Sequence, residues 1–143
     1  MAIANLHETI QFNIAQRNRL SLEITELQSQ KNLALYSQGD VQSLLSAEKH
    51  SVRDYFKGLY NDDPALQEKY VSYTEIPDFE EEIDRIVSEY QEQLDELAAW
   101  ETVIDSQITT KSAELEEIKA YLDSYKSMVS SNIQEDFNFG LNG

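Results

Sequence analysis

The chain reads as all-α: an elongated antiparallel helical hairpin, or coiled coil, with its N-terminal arm bent or broken near Gly39 and a short helix in the connection. Three observations predict this. Apolar residues recur at alternating steps of three and four over two long stretches, the spacing of a coiled-coil seam. Both prolines, Pro64 and Pro77, fall between those stretches. Four glycines and two prolines in 143 residues are too few for the many tight turns of a sandwich or barrel.

The first arm is assigned to residues 3–60. Its seam begins Ile3, Leu6, Ile10, Asn13, Arg17, Leu20, Ile24 and Leu27. The same register continues through Lys31, Ala34, Gln38, Val41, Leu45, Glu48, Val52, Tyr55 and Leu59. Ser37-Gln38-Gly39-Asp40 is its weak point: Gly39 suits a C′ position and Asp40 the N-cap of a new helix. A bend or short break is expected there.

Residues 61–78 form the connection. Asn61-Asp62-Asp63-Pro64 reads as a cap followed by a short helix with proline in its first turn. Tyr70, Tyr73 and Phe79, with Phe56 and Tyr60, are expected to cluster at this end. The second arm, 79–132, carries the strongest signal. Asp78-Phe79-Glu80-Glu81 fits a capping box. From Ile83 the seam passes through Val87, Tyr90, Leu94, Leu97, Glu101, Ile104 and Ile108. It then runs by way of Lys111, Leu115, Ile118, Leu122 and Tyr125 to Val129 and Asn132. Lys31 is expected to neutralise Glu101 across the seam. Residues 133–143 are read as a frayed tail, and the whole chain as a single helical domain.

A two-stranded seam should be apolar at two positions per heptad and polar elsewhere. Here the position before each a residue is often apolar too, as at Ile86, Trp100, Tyr121 and Met128. Phe12, Ile14, Leu22, Leu33 and Leu35 widen the first arm's stripe, and Phe137 and Phe139 sit in the tail. These residues are the expected assembly or partner interface, because an uncovered strip of this size favours association.

Charge limits the partners. The net charge is −16, from 27 acids and 11 bases, which disfavours nucleic acid, whose phosphates need a basic surface. The acidity is a block: residues 61–100 hold 13 acids and 2 bases, whereas residues 1–60 hold six of each. A solvated helix face accounts for such a block, and so does a docking surface for a basic partner.

Chemistry is sparse. With no cysteine there is no disulfide, thiolate metal site or cysteine nucleophile. His7 and His50 lack the Glu-x-x-His spacing of bundle metal sites. The acids from Asp78 to Asp84 lack the glycine and alternating ligands of a calcium loop. Ser46-Ala47-Glu48-Lys49 matches Ser-x-x-Lys without its companion motifs. No catalytic residue, metal or cofactor is expected.

No stretch is apolar enough to span a membrane, and the N-terminus lacks the plan of a signal peptide. A cytoplasmic location is the default; export without a cleaved signal stays open. The expected function is structural: a non-enzymatic homo-oligomer or filament-type subunit, or one that pairs with another helical protein. The alternative is an adaptor or chaperone that holds a basic or helical partner through its arms or acidic block. In general design the hairpin resembles flagellin-like and secretion-needle-like subunits, and in broad shape prefoldin-like chaperones, without the specific motifs of any of them.

Overall fold

A computed structural model describes the backbone of residues 3–142 and the side chains of residues 4–134. Helix α1 spans Ile3–Asp62, α2 Pro64–Lys69 and α3 Pro77–Asn142, with a 3₁₀ turn at Tyr73–Glu75. There is no strand among the described residues, and α1 packs against α3 as an all-α helical hairpin. Contacts divide the chain into two compact units. A terminal unit combines Met1–Gln30 with Ile104–Gly143, and a central unit comprises Lys31–Val103.

Three boundaries differ from the sequence expectation. First, α1 runs unbroken through Gly39, which is exposed, has no positive φ and would meet nothing with an added Cβ. The cost of an exposed helical glycine, about 1 kcal/mol relative to alanine, is smaller than what a break would forfeit in packing at Ala34, Gln38 and Val41. Second, α3 starts at Pro77, so Asp78 lies in the first turn and is not the N-cap of a box. Proline suits this first position because its missing N–H would lack a helical acceptor there. Asp78 and Glu80 then place negative charge beside the positive end of the helix dipole. Third, α3 continues to Asn142, so the tail expected from residue 133 is helical backbone.

In the terminal unit the buried side chains are Leu6, Leu20 and Leu27 from α1 and Ile104 and Leu122 from α3. All five sit on the seam read from sequence. Half-buried Ile10, Asn13, Arg17 and Ile24 fill the intervening positions of α1, keeping the 3-4 alternation.

The central unit is different. Phe56, not Tyr55, is buried, and Ile86, at 2% exposure, replaces Val87 as the deepest residue of its turn. The inward positions on α1 become Ala34, Gln38, Val41, Leu45, Lys49, Val52, Phe56 and Tyr60. On α3 they are Phe79, Ile83, Ile86, Tyr90, Leu94, Leu97 and Glu101. Both series repeat in steps of 4-3-4, an eleven-residue period. The seven-residue frame therefore fails here at Glu48, Tyr55 and Leu59, which are exposed.

The connection is held by polar links and aromatic edges. Asp63 caps α2 by accepting from the Ala65 N–H at 3.0 Å. Gln67 Nε2 donates to the carbonyls of Tyr60 and Asn61 at 2.9 and 3.1 Å, which satisfies acceptors that the end of α1 leaves open. The Tyr60 hydroxyl lies within 3.0 Å of the Tyr70 and Val71 carbonyls and donates to them. Phe79 meets both Phe56 and Tyr73 edge to face, at centroid distances of 5.5 and 5.4 Å. Of the expected cluster, Phe56, Tyr73 and Phe79 make ring contacts, whereas Tyr60 and Tyr70 are linked to each other through the Tyr60 hydroxyl and the Tyr70 backbone carbonyl.

Candidate interaction surface

Among the described residues no group of three or more histidine, aspartate or glutamate side chains is placed to hold a metal ion. Ser46 is an exposed residue on a continuous helix, and His50 faces Asp54 at 3.4 Å on the exposed surface. What the side chains build instead is a set of rungs between α1 and α3, and a one-sided groove.

In the terminal unit Lys111 Nζ donates to Glu23 Oε2 at 2.7 Å. This hydrogen bond, reinforced by the charges of Lys111 and Arg19, holds the Glu23 carboxyl below its ordinary 4.5 despite some desolvation. In the central unit Gln38 Nε2 donates to Glu101 Oε2 at 2.9 Å, so Gln38, seven residues beyond Lys31, meets this seam carboxylate. Tyr90 donates its hydroxyl to Glu48 Oε1 at 2.6 Å, and this bond to a carboxylate pushes the phenol above its ordinary 10.0.

The expected interface residues divide into three groups. Phe12, Leu22, Leu33, Leu35, Trp100, Tyr121 and Met128 are exposed large apolar side chains, and Ile14 is half-buried. Ile86 is not available to a partner, because its own chain buries it at an eleven-residue seam position. Phe137 and Phe139 lie outside the residues whose side chains are described.

Sequence reasoning missed Leu44, Tyr55 and Val103, which are 55%, 63% and 54% exposed. The signal lies in their spacing: Leu33, Leu44 and Tyr55 follow one another at steps of eleven. Eleven residues make three helical turns to within about 20°, so the three side chains stand in one row on α1.

Tyr55, at one end of that row, lines a groove of about 770 Å³ in the central unit, together with Val52, Phe56, Asp78, Glu81 and Arg85 among others. Beyond the groove, the shared period sets further residues in line with its lining: Leu44 and Leu33 with Tyr55, Glu89 and Trp100 with Asp78, and Glu92 and Val103 with Glu81. All of these residues are exposed. The groove thus has Tyr55 on the α1 side and an acidic rim on the α3 side, and the exposed residues in line with it run on to Leu33 on α1 and to Trp100 and Val103 on α3. Arg85 pairs with Glu82 and with Glu89, drawing the Glu82 carboxyl down.

The fold and its surface define a class, an all-α helical hairpin with apolar residues left outside its own seam. No known protein family, curated protein or solved structure matches the chain. No helix among the described residues is long and apolar enough to cross a membrane.

Proposed function

We propose that the chain is a non-enzymatic coiled-coil protein that self-assembles through apolar helix faces, as a scaffold or filament-type subunit. One observation carries this reading: large apolar side chains remain exposed on helix faces in both units after α1 and α3 have packed together. In the terminal unit Phe12 and Leu22 are 63% and 59% exposed on α1, and Tyr121 and Met128 stand one heptad apart on α3 at 46% and 47%. This unit carries 10 acids and 5 bases, so repulsion between copies is weaker here than in the central unit, with 17 acids and 6 bases. Covering such residues with like faces of other copies removes apolar surface from water, at about 25 cal/mol per Å².

Sedimentation at two well-separated concentrations tests this. Association that grows with concentration, and is lost in a Phe12→Glu/Met128→Glu double variant that keeps its helical circular dichroism, is the expected result. A 16.5 kDa species at both concentrations overturns it. Electron microscopy of the concentrated protein then separates filaments from discrete oligomers.

A further inference from the structure

The groove of the central unit is unlike the exposed residues of the terminal unit, because apolar character and charge are segregated across it. Its α1 side presents Tyr55, and exposed Leu44 and Leu33 stand in line beyond it at steps of eleven. Its α3 side carries carboxylates, and the one base, Arg85, is engaged by Glu82 and Glu89. Among the described residues Asp78 and Glu81, which line it, hold no ion pair, nor do Glu92 and Glu96, which line a shallow hollow further along α3, and all four are exposed. From Tyr55 to Leu33 the row covers about 33 Å at the helical rise, a length that suits one helix and not a small molecule.

We propose that this groove is a docking site for an amphipathic helix of another protein, one whose apolar stripe is flanked by lysine and arginine. Each element of the groove fixes one property of the occupant. The row of side chains at steps of eleven accepts an apolar stripe of about 3.67 residues per turn, one that stays in line with a nearly straight helix. The carboxylate rim selects basic flanks, since opposite charge across an interface favours encounter and like charge is rejected. A second copy is the poorer occupant. It brings a chain of net charge −16 to an acidic rim. Its basic ridge, His50, Arg53 and Lys57, stands on the other flank of α1 from the Leu33–Leu44–Tyr55 row. This site is independent of whether the chain self-associates through its terminal unit.

Trp100 is the only tryptophan and stands two eleven-residue steps along α3 from Asp78, in line with the groove, so its fluorescence reports a helix lying along that line. The test uses the full chain and two synthetic helices of about 33 residues, three eleven-residue repeats. Both have leucines at 4-3-4 spacing; one is flanked by lysine and the other by glutamate. The lysine-flanked peptide is expected to shift Trp100 emission to the blue, with an affinity that falls about tenfold or more between low and high salt. Leu44→Glu should weaken binding by a similar factor. Because Leu44 is exposed, far-UV circular dichroism should be unchanged. Glu92→Lys/Glu96→Lys should transfer preference to the glutamate-flanked peptide. Equal binding of both peptides, or no shift with either, overturns the proposal. So does Trp100 emission that already changes with protein concentration alone, which would place a second copy in the groove. Loss of sedimentation-detected assembly in the terminal-unit variant, by contrast, bears only on self-association.

Discussion

The terminal and central units are built from the same two helices, yet they bury side chains on different periods. In the terminal unit the inward residues alternate by four and three, as in Leu20, Ile24 and Leu27 or Ile118, Leu122 and Tyr125. In the central unit they follow 4-3-4, as in Leu45, Lys49, Val52 and Phe56 or Phe79, Ile83, Ile86 and Tyr90. A seven-residue period corresponds to about 3.5 residues per turn and holds its seam only by left-handed winding, whereas eleven residues give about 3.67 and a straighter path. Which period wins depends on which side chain of a neighbouring pair is cheaper to bury. Phe56 has no hydroxyl to hydrate and Tyr55 has one, so phenylalanine turns inward. Lys49 is half-buried where Glu48 is exposed, as suits a lysine, whose long apolar stem can be covered while its ammonium stays in water.

The largest effect that can break this comparison is at that pair. Phe56 is 6% exposed and meets Phe79 edge to face. Phe56→Ala should cost about 3–5 kcal/mol in denaturant unfolding, the usual range for a large buried aromatic. Tyr55→Ala, at a position that is 63% exposed, should cost under about 1 kcal/mol, in line with a surface substitution that loses one ring contact. The reverse order would restore the seven-residue frame in the central unit.

The fold class was legible because period and proline placement speak for the whole chain. The terminal seam was legible for the same reason: Leu6, Ile10, Leu20, Ile24 and Leu27 on α1 and Ile104, Ile108, Leu115, Ile118 and Leu122 on α3 keep one frame across its polar positions Asn13, Arg17 and Lys111. In the central unit two frames share Ala34, Gln38, Val41, Leu45 and Val52, and only side-chain volume and tertiary contacts choose between Tyr55 and Phe56, or Ile86 and Val87. The continuity at Gly39 was hidden by a local signal, since glycine followed by aspartate satisfies stop and start rules that packing then overrides. The groove was half legible. Leu33 and Trp100 stood out as apolar residues off the seam, while Leu44 and Val103 are recognised only once the eleven-residue step is known. The Glu23–Lys111 rung was less accessible, because Glu23 lies beside the seam and its partner is 88 positions away.

A smaller effect, of opposite sign, sharpens the comparison at Gly39. The position is helical, exposed and open to a Cβ. Gly39→Ala should raise stability by about 1 kcal/mol, through helix propensity and a less flexible unfolded chain. Had Gly39 ended one helix and preceded another, alanine would destabilise. The sign of the change in midpoint is the measurement.

The two units should also respond to opposite ends of the pH scale, because their rungs differ in chemistry. In the terminal unit Glu23 is ionised more readily in the folded chain than in the unfolded one. Its contribution is complete above the ordinary 4.5 and disappears as pH falls through the lowered folded value. In the central unit Tyr90 keeps its proton to donate to Glu48. That contribution is complete below the ordinary 10.0 and is lost as pH rises through the raised folded value. Both rungs lie near the surface, so the effects are small and best read from the groups themselves. Lys111→Met should move the Glu23 carboxyl up in a side-chain NMR titration and leave Tyr90 unchanged. Glu48→Gln should bring the Tyr90 phenol down in an ultraviolet titration and leave Glu23 unchanged. If Lys111→Met moved Tyr90, or Glu48→Gln moved Glu23, the rungs would be coupled and the two periods would not mark separable units. Independent responses would show that each unit closes its own contacts between α1 and α3.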